Sequence, residues 1–226
     1  MYLYPEGVKN KICYSCFVLQ NNRETILVDS GLPSQDTILK DKKPFRIMED
    51  APPLKDALEK LGIEPSAIKK IILTHLHYDH CCNLDLFPEA EIYVQEREIR
   101  HALCPFPHEY RYYSLLKETG LPEWIPHILR FHRLEGEQEL FEDVSVILTP
   151  GHSPGSQTVL AETTEGRYAL VGDFAPLYQN YEQAVPNTIH TDLNDWYDSY
   201  KKLRAQNVKI LPGHDMRIFD RAIYGK

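Results

Sequence analysis

Residues 70–80, KIILTHLHYDH, place an apolar run directly before four side chains that can bind metal ions. The apolar run, with its β-branched residues, predicts a buried strand. The four side chains that follow are His75, His77, Asp79 and His80. Alternate residues of an extended segment point the same way, so His75 and His77 can hold one ion together. Four ligands in six positions are too many for one ion that also keeps an open coordination position, which indicates two metal ions. A solvated polar turn is the alternative, and the strand leading into the cluster argues against it.

Three later strand-like runs end in the same way. They are VSVILT at 144–149, YALVG at 168–172 and VKIL at 208–211, and each is predicted to be a strand. The metal-competent residues that follow them are His152, Asp173 and His214. Each lies beside a glycine, which permits unusual dihedrals and a close approach of the backbone. Four strand ends that each deliver such a residue indicate a metal site assembled from most of the chain.

Composition and charge narrow the classes of function. The 226 residues carry a formal net charge of −8, which argues against nucleic acid as a partner because phosphate binding needs a basic surface. No apolar run approaches the ~18 residues that can span a bilayer, so no membrane partner is expected. The sequence shows no secretory signal at its start, and its five cysteines are odd in number. These features predict a cytoplasmic protein in a reducing compartment.

The remaining pattern predicts one α/β domain over residues 1–226. Further strands are predicted at 11–20, 23–29, 91–94, 128–134 and 157–162, the first two forming a hairpin over an Asn-Asn turn. Helices are predicted at 54–61, 95–103, 109–119 and 192–206. Residues 33–50 are interpreted as a surface excursion. The aromatic-rich stretch 101–133 fits a lid over a pocket and a peripheral helical pair equally well.

The ligand-type residues form a recognisable set. His75-x-His77-x-Asp79-His80, followed by His152, Asp173 and His214, resembles the ligand motifs of the metallo-β-lactamase superfamily. Asp29, in the motif LVDSG, matches the first, structural aspartate of that superfamily. Within it the chain looks most like the N-acyl-homoserine lactone lactonases, the quorum-quenching enzymes. These carry HxHxDH, a GHSPG-like histidine, a later aspartate and a late GHD, and the resemblance covers essentially the whole chain.

The resemblance implies an α/β fold, a four-layer αβ/βα sandwich, with the site at the strand ends. It also implies two divalent metal ions held by two ligand sets joined by one bridge. The first set is His75, His77 and His152, the second is Asp79, His80 and His214, and the bridge is Asp173. Imidazole and carboxylate ligands without thiolate suit zinc, and they also suit iron, manganese or cobalt.

This ligand set is suited to carbonyl hydrolysis. A hydroxide held between two cations is a nucleophile at neutral pH, because metal binding lowers the pKa of water to about 7. The resemblance therefore implies that a bridging hydroxide opens the lactone ring of an N-acyl-homoserine lactone. Asp79 can orient the hydroxide and carry its proton, so it is also predicted as a catalytic residue. The expected partner is a small acyl substrate, with a homodimer left open.

One position departs from the lactonase pattern. The lactonases usually place a tyrosine three residues after the bridging aspartate, where its hydroxyl meets the substrate carbonyl, and this chain has Pro176 there. Tyr178 and Tyr181 follow and can reach the site only if the loop is reshaped. Tyr178 is predicted as the catalytic hydroxyl. The departure weakens the lactone assignment more than the hydrolase assignment.

Several related activities compete with this interpretation. A thioesterase of the glyoxalase II type shares the same ligands, but it usually carries a further C-terminal basic region, and only a short segment follows His214. An RNase Z-type phosphodiesterase needs a basic arm, which an acidic chain lacks. Oxygen-reactive flavodiiron members replace the second histidine by Glu, and His77 argues against them. A persulfide dioxygenase uses fewer metal ligands, so the full set of seven argues against it. A non-hydrolytic scaffold is expected to have lost some of the metal ligands, and none is lost here.

Overall fold

The computed structural model describes residues 11–33, 52–113 and 121–225. The chain forms two compact units. The HxHxDH unit comprises the described residues of Cys16–Tyr93 and Ala102–His132. The His152 unit comprises the described residues of Met1–Ser15, Val94–His101 and Arg133–Lys226. The single domain expected over residues 1–226 stays a prediction. Most of the expected excursion at 33–50, and the end of the helix expected at 109–119, lie outside the described residues.

Most of the first five-stranded sheet belongs to the HxHxDH unit, and its strand order is β1-β2-β3-β4-β5. The strands are β1 (Phe17–Gln20), β2 (Thr25–Val28), β3 (Lys70–Ile72), β4 (Glu91–Gln95) and β5 (Phe131–Leu134). β1 and β2 form the predicted antiparallel hairpin, while β2, β3 and β4 are parallel to one another. A parallel strand buried on both faces reads as a continuous apolar run, and Ile71 and Ile72 of β3 are fully buried. The predicted strand at the start of the motif is therefore confirmed.

Helical segments connect these strands. The α-helices of this part of the chain are α1 (Leu54–Lys60), α2 (Tyr78–Cys81), α3 (Glu96–Leu103) and α4 (Tyr110–Tyr113), with 3₁₀ turns at Pro65–Ala67, Leu84–Leu86 and Ile125–Arg130. The predicted helices at 54–61 and 95–103 are confirmed. The strand predicted at 128–134 is wrong in its first residues, because Pro126 favours a helical turn that continues through Arg130. The strand predicted at 11–20 begins only at Phe17.

The second five-stranded sheet belongs to the His152 unit, in the order β10-β9-β8-β7-β6. Its strands are β6 (Gln138–Phe141), β7 (Val144–Leu148), β8 (Gln157–Ala161), β9 (Tyr168–Gly172) and β10 (Lys209–Pro212). β6 to β9 are antiparallel neighbours, and β10 runs parallel to β9. The sequence predicted all of these strands except β6, whose residues QELF carry too weak a strand pattern.

Helix α6 (Leu193–Ala205) covers apolar residues of the second sheet, and the shorter helix α5 (Tyr178–Glu182) precedes it. The side chain of Asp192 caps α6 by accepting hydrogen bonds from the backbone of its first turn. Trp196 of α6 is fully buried, stacks on Phe174 and donates its indole N–H to the Phe174 carbonyl at 2.7 Å. Phe174 directly follows the predicted ligand Asp173, so this packing holds the end of β9. Among the described residues, no helix is long and apolar enough to cross a membrane.

Candidate metal centre

The HxHxDH motif forms a tight turn at the end of β3. His77 is extended and precedes α2, so the chain bends directly after it. The turn brings three buried imidazoles together: the ring centroids of His75 and His77 are 4.6 Å apart, and those of His75 and His80 are 4.2 Å apart. The Asp79 carboxylate lies 3.8 Å from Nε2 of His80 and is partly exposed. All four predicted ligands of this motif therefore lie in one cluster.

Asp29, at the end of β2, supports this cluster from behind. Its backbone φ is +59°, a left-handed conformation that Asp tolerates better than most residues. Its Oδ1 accepts the Thr74 N–H at 2.7 Å, and its Oδ2 accepts the Thr74 hydroxyl at 2.9 Å and lies 2.8 Å from Nδ1 of His80. Since a carboxylate only accepts, Nδ1 of His80 carries the proton and Nε2 is left to bind a metal ion.

Thr74 orients His75 in a similar way. Its hydroxyl proton goes to Asp29, so its oxygen accepts from Nδ1 of His75, which lies 3.0 Å away. Thr74 was not among the residues predicted for the site, although its position directly before the first histidine was a signal that could have found it.

The His152 unit brings the other three predicted ligands together. Oδ1 of Asp173 lies 2.7 Å from Nε2 of His214, and Oδ2 of Asp173 lies 3.7 Å from Nε2 of His152. The two oxygens of one carboxylate thus face two different histidines. All three side chains are buried.

Backbone carbonyls orient both of these histidines. Nδ1 of His152 lies 2.7 Å from the carbonyl oxygen of Ile189, and Nδ1 of His214 lies 2.7 Å from that of Cys13. A carbonyl oxygen only accepts, so both imidazoles carry their proton on Nδ1 and direct Nε2 toward Asp173. An unprotonated Nε2 and a carboxylate oxygen both offer lone pairs, so these atoms are suited to ligate a cation together.

Gly213 allows the strand ends of this unit to approach closely. A Cβ at this position would lie 3.1 Å from the Gly172 carbonyl oxygen and 3.2 Å from Oδ1 of Asp173. Such spacing is tighter than ordinary side-chain contacts, so glycine lets β10 deliver His214 beside Asp173. The close approach that the sequence predicted for the glycines is confirmed here.

The donor set fits divalent metal ions. All seven predicted ligands are among the residues whose ligand atoms could hold a metal ion. Four of the five histidines have Nδ1 hydrogen-bonded to an oxygen, an arrangement that is nearly universal for histidines that ligate a metal through Nε2.

The predicted catalytic Tyr178 lies in α5, with its ring and its hydroxyl in contact with the C-terminal segment. Its hydroxyl hydrogen-bonds with that of Tyr224, its ring lies 4.6 Å from the guanidinium carbon of Arg217, and its backbone N–H donates to Asp215. Burial raises the pKa of the Tyr178 hydroxyl. Tyr181 is buried in the core against Tyr200.

Two other tyrosines contact a predicted ligand. The ring of Tyr113 lies 4.6 Å from that of His77 and the ring of Tyr112 lies 5.3 Å from it, measured between centroids. Both belong to α4, within the aromatic-rich stretch whose role the sequence left open. Helix α4 therefore packs against the metal-ligand cluster of its own unit.

Comparison with known proteins agrees with this geometry. The sequence model of the metallo-beta-lactamase superfamily matches residues 14–214. An N-acyl homoserine lactonase of Bacillus thuringiensis is 31% identical over 180 residues, covering 76% of this chain and 67% of that protein. An N-acyl homoserine lactonase of a Bacillus species is 30% identical over 214 residues, covering 89% of this chain and 80% of that protein.

A solved structure of an N-acyl homoserine lactone hydrolase, with the product N-hexanoyl-L-homoserine bound at its catalytic metal centre, aligns with a TM-score of 0.76 at 26% identity. The alignment covers 100% of this chain and 90% of that one. The sequence match, the shared fold and the retained ligand-type residues together show that this chain belongs to the metallo-β-lactamase superfamily.

Proposed function

We propose that this protein is a dinuclear metal-dependent hydrolase that opens the lactone ring of N-acyl-homoserine lactones, and so acts in quorum quenching. The carboxylate of Asp173 carries the proposal, because its two oxygens face the Nε2 atoms of two different histidines. A carboxylate so placed is suited to join two metal ions. The related lactonases, which cover most of this chain, support the choice of substrate.

In this proposal the seven ligand-type residues hold two ions. One ion takes His75, His77 and His152, the other takes Asp79, His80 and His214, and Asp173 bridges them. Zinc is the proposed metal, and the imidazole and carboxylate donors also suit iron, manganese and cobalt. The support is the set of oxygen partners at Nδ1, which leaves Nε2 of four of these histidines as the ligand atom.

When bound, two divalent ions lower the pKa of a coordinated water to about 7 and polarise the substrate carbonyl. Asp79 is the residue proposed to receive the water's proton and pass it to the leaving alkoxide. Its carboxylate is the most exposed of the seven ligand-type residues, so it can exchange protons with substrate and solvent. Water adds to the lactone carbonyl, the ring C–O bond breaks, and the product is an N-acyl-homoserine.

Tyr178 is proposed as the hydroxyl that meets the substrate carbonyl. In the structure its hydroxyl is bonded to Tyr224, so the role requires that this bond be exchanged for one to the substrate. Pro176, at the position where the lactonases usually carry a tyrosine, favours a second candidate function, hydrolysis of acyclic esters or thioesters.

A metal analysis followed by a substrate panel tests the proposal. The protein is purified without added metal, reconstituted with zinc, and assayed on an N-acyl-homoserine lactone, an acyl thioester and a phosphodiester. We expect two ions per chain and lactone opening with kcat/KM in the range of about 10⁴ to 10⁸ M⁻¹s⁻¹ that is typical of enzymes on their own substrates. Thioester cleavage without lactone opening would establish the second candidate instead.

The location and partners complete the proposal. A cytoplasmic location is supported by five cysteines that are all free thiols. The proposed partner is the small acyl substrate, and the acidic net charge of −8 disfavours nucleic acid. A homodimer stays open and is tested by light scattering of the metal-loaded protein.

A further inference from the structure

Glu98 is a fully buried carboxylate on α3 that contacts the loop carrying His152. Its Oε2 accepts the hydroxyl of Ser153 at 2.6 Å and the backbone N–H of Gly155 at 3.0 Å. Both donors lie within three residues of His152. A buried carboxylate is costly unless it is well bonded, so these two bonds fix where the loop can lie.

The loop also contacts the backbone of Glu98. A Cβ at Gly155 would lie 2.1 Å from the Glu98 nitrogen and 2.4 Å from its Cα, distances that no real side chain tolerates. The bare backbone at Gly155 is therefore required for its N–H to reach the carboxylate.

A second hydroxyl completes the arrangement. The Ser153 hydroxyl has one proton, which it donates to Glu98, so the Ser156 hydroxyl at 2.6 Å donates to the Ser153 oxygen. The Ser156 oxygen in turn accepts the Ser153 N–H at 3.1 Å. The whole 153–156 turn is thus held to one carboxylate oxygen through a continuous set of hydrogen bonds.

We propose that Glu98 is a positioning residue for His152: it holds the 153–156 turn so that the His152 imidazole keeps the orientation needed to ligate a metal ion. The Ile189 carbonyl fixes the rotation of the ring, while Glu98 fixes the backbone that carries it. If the loop moved, the carboxylate would lose its donors in a buried environment, and this cost resists the movement. The inference rests on the proposed metal-dependent function, in which His152 is a ligand.

Four variants and a control test this role. Glu98→Ala removes both acceptor contacts, Ser153→Ala removes one, and Gly155→Ala pushes the turn away from α3. Glu98→Gln is the conservative variant, because its amide oxygen can still accept both bonds. Leu203→Ala is the control, because Leu203 is fully buried in a core cluster of the same unit that includes none of residues 153–156.

Zinc affinity is measured by competition with a chromogenic chelator, and kcat and KM are measured on the reconstituted proteins. For Glu98→Ala we expect the affinity for one of the two ions to fall about 10- to 100-fold, the usual effect of removing an outer partner of a metal ligand. Gly155→Ala should lower the zinc affinity by a similar factor, and Ser153→Ala should lower it less. Glu98→Gln should keep most of the wild-type zinc affinity. The loss in activity should lie in kcat and be recovered at high zinc concentration.

Unchanged zinc affinity in Glu98→Ala overturns the proposal. So does an equal loss in Leu203→Ala, because the effect would then follow from lower stability alone. If Glu98→Ala does not fold, the contrast between Ser153→Ala and Glu98→Gln decides, and equal affinities in those two overturn the proposal. The zinc measurement needs no substrate, so a wild-type protein that binds two ions but opens no lactone refutes the proposed activity and leaves the role of Glu98 intact.

Discussion

Replacement of Asp29 by Asn should weaken both the fold and the metal site, although it exchanges only one carboxylate oxygen for an NH₂ group. Asp29 accepts three hydrogen bonds: from Thr74 N–H on Oδ1, and from the Thr74 hydroxyl and His80 Nδ1 on Oδ2. An amide has only one oxygen, so one side of the substituted side chain must present its NH₂ group to a donor. In the less costly orientation the amide oxygen faces His80 and the amide NH₂ faces the Thr74 N–H. The Thr74 N–H then has no acceptor in the substituted side chain.

The expected loss of stability follows from the number of hydrogen bonds that are lost. One buried donor left without an acceptor costs about 1–3 kcal/mol of stability. For a chain of this size each kcal/mol shifts the melting temperature by about 2–4 °C, so we expect the Tm of the metal-free variant to fall by about 2–12 °C. The neutral amide is also a weaker acceptor for His80, and we expect zinc affinity to fall about 10- to 100-fold, equivalent to about 1.4–2.7 kcal/mol.

Asp143 offers a matched control. It is exposed and has a φ of +62°, nearly the same backbone conformation as Asp29, so Asp143→Asn makes the same chemical change at a residue outside the predicted ligand set. Melting in the presence of chelator measures the stability of the metal-free proteins, and chelator competition measures the affinity for zinc. If Asp29→Asn melts and binds zinc like Asp143→Asn, the argument that Asp29 orients His80 is refuted.

Three further outcomes are expected. Asp173→Asn should lose activity and bind fewer than two ions, because a neutral amide cannot offset the charge between two cations; two ions and near-normal turnover would mean that another residue is the bridge. Tyr178→Phe should lower kcat on the lactone roughly tenfold or more, as for one oxyanion donor, and an unchanged kcat removes Tyr178 from the mechanism. Arg221 and Tyr168, which hydrogen-bond Glu165, lower the pKa of Glu165 from 4.5 to about 2. The contribution of ionised Glu165 to stability is therefore present above pH 4.5 and is lost as the pH falls toward 2. The Tm difference between the wild type and Glu165→Gln should shrink over that pH range.

The ligand motifs could be predicted from sequence because their spacing is local. In KIILTHLHYDH the strand and the turn are set by neighbouring residues, so the clustering of His75, His77 and His80 follows from the order of residues along a few positions. The helices 54–60 and 193–205 were predictable for the same reason, since their apolar spacing and end residues are local signals. The strand β6 was missed because its stability comes from pairing with β7 rather than from its own composition.

The partners of the ligands were decided by the tertiary structure. The Nδ1 atoms of His152 and His214 are bonded to the backbone carbonyls of Ile189 and Cys13, and a carbonyl leaves no signal in the sequence because every residue carries one. Glu98 reaches Ser153 across 55 positions, and nothing near either residue indicates the contact. The sequence alone determined which residues can bind metal and on which strand ends they lie, whereas the fold decided which nitrogen of each histidine is free to do so, because that depends on acceptors brought from distant parts of the chain.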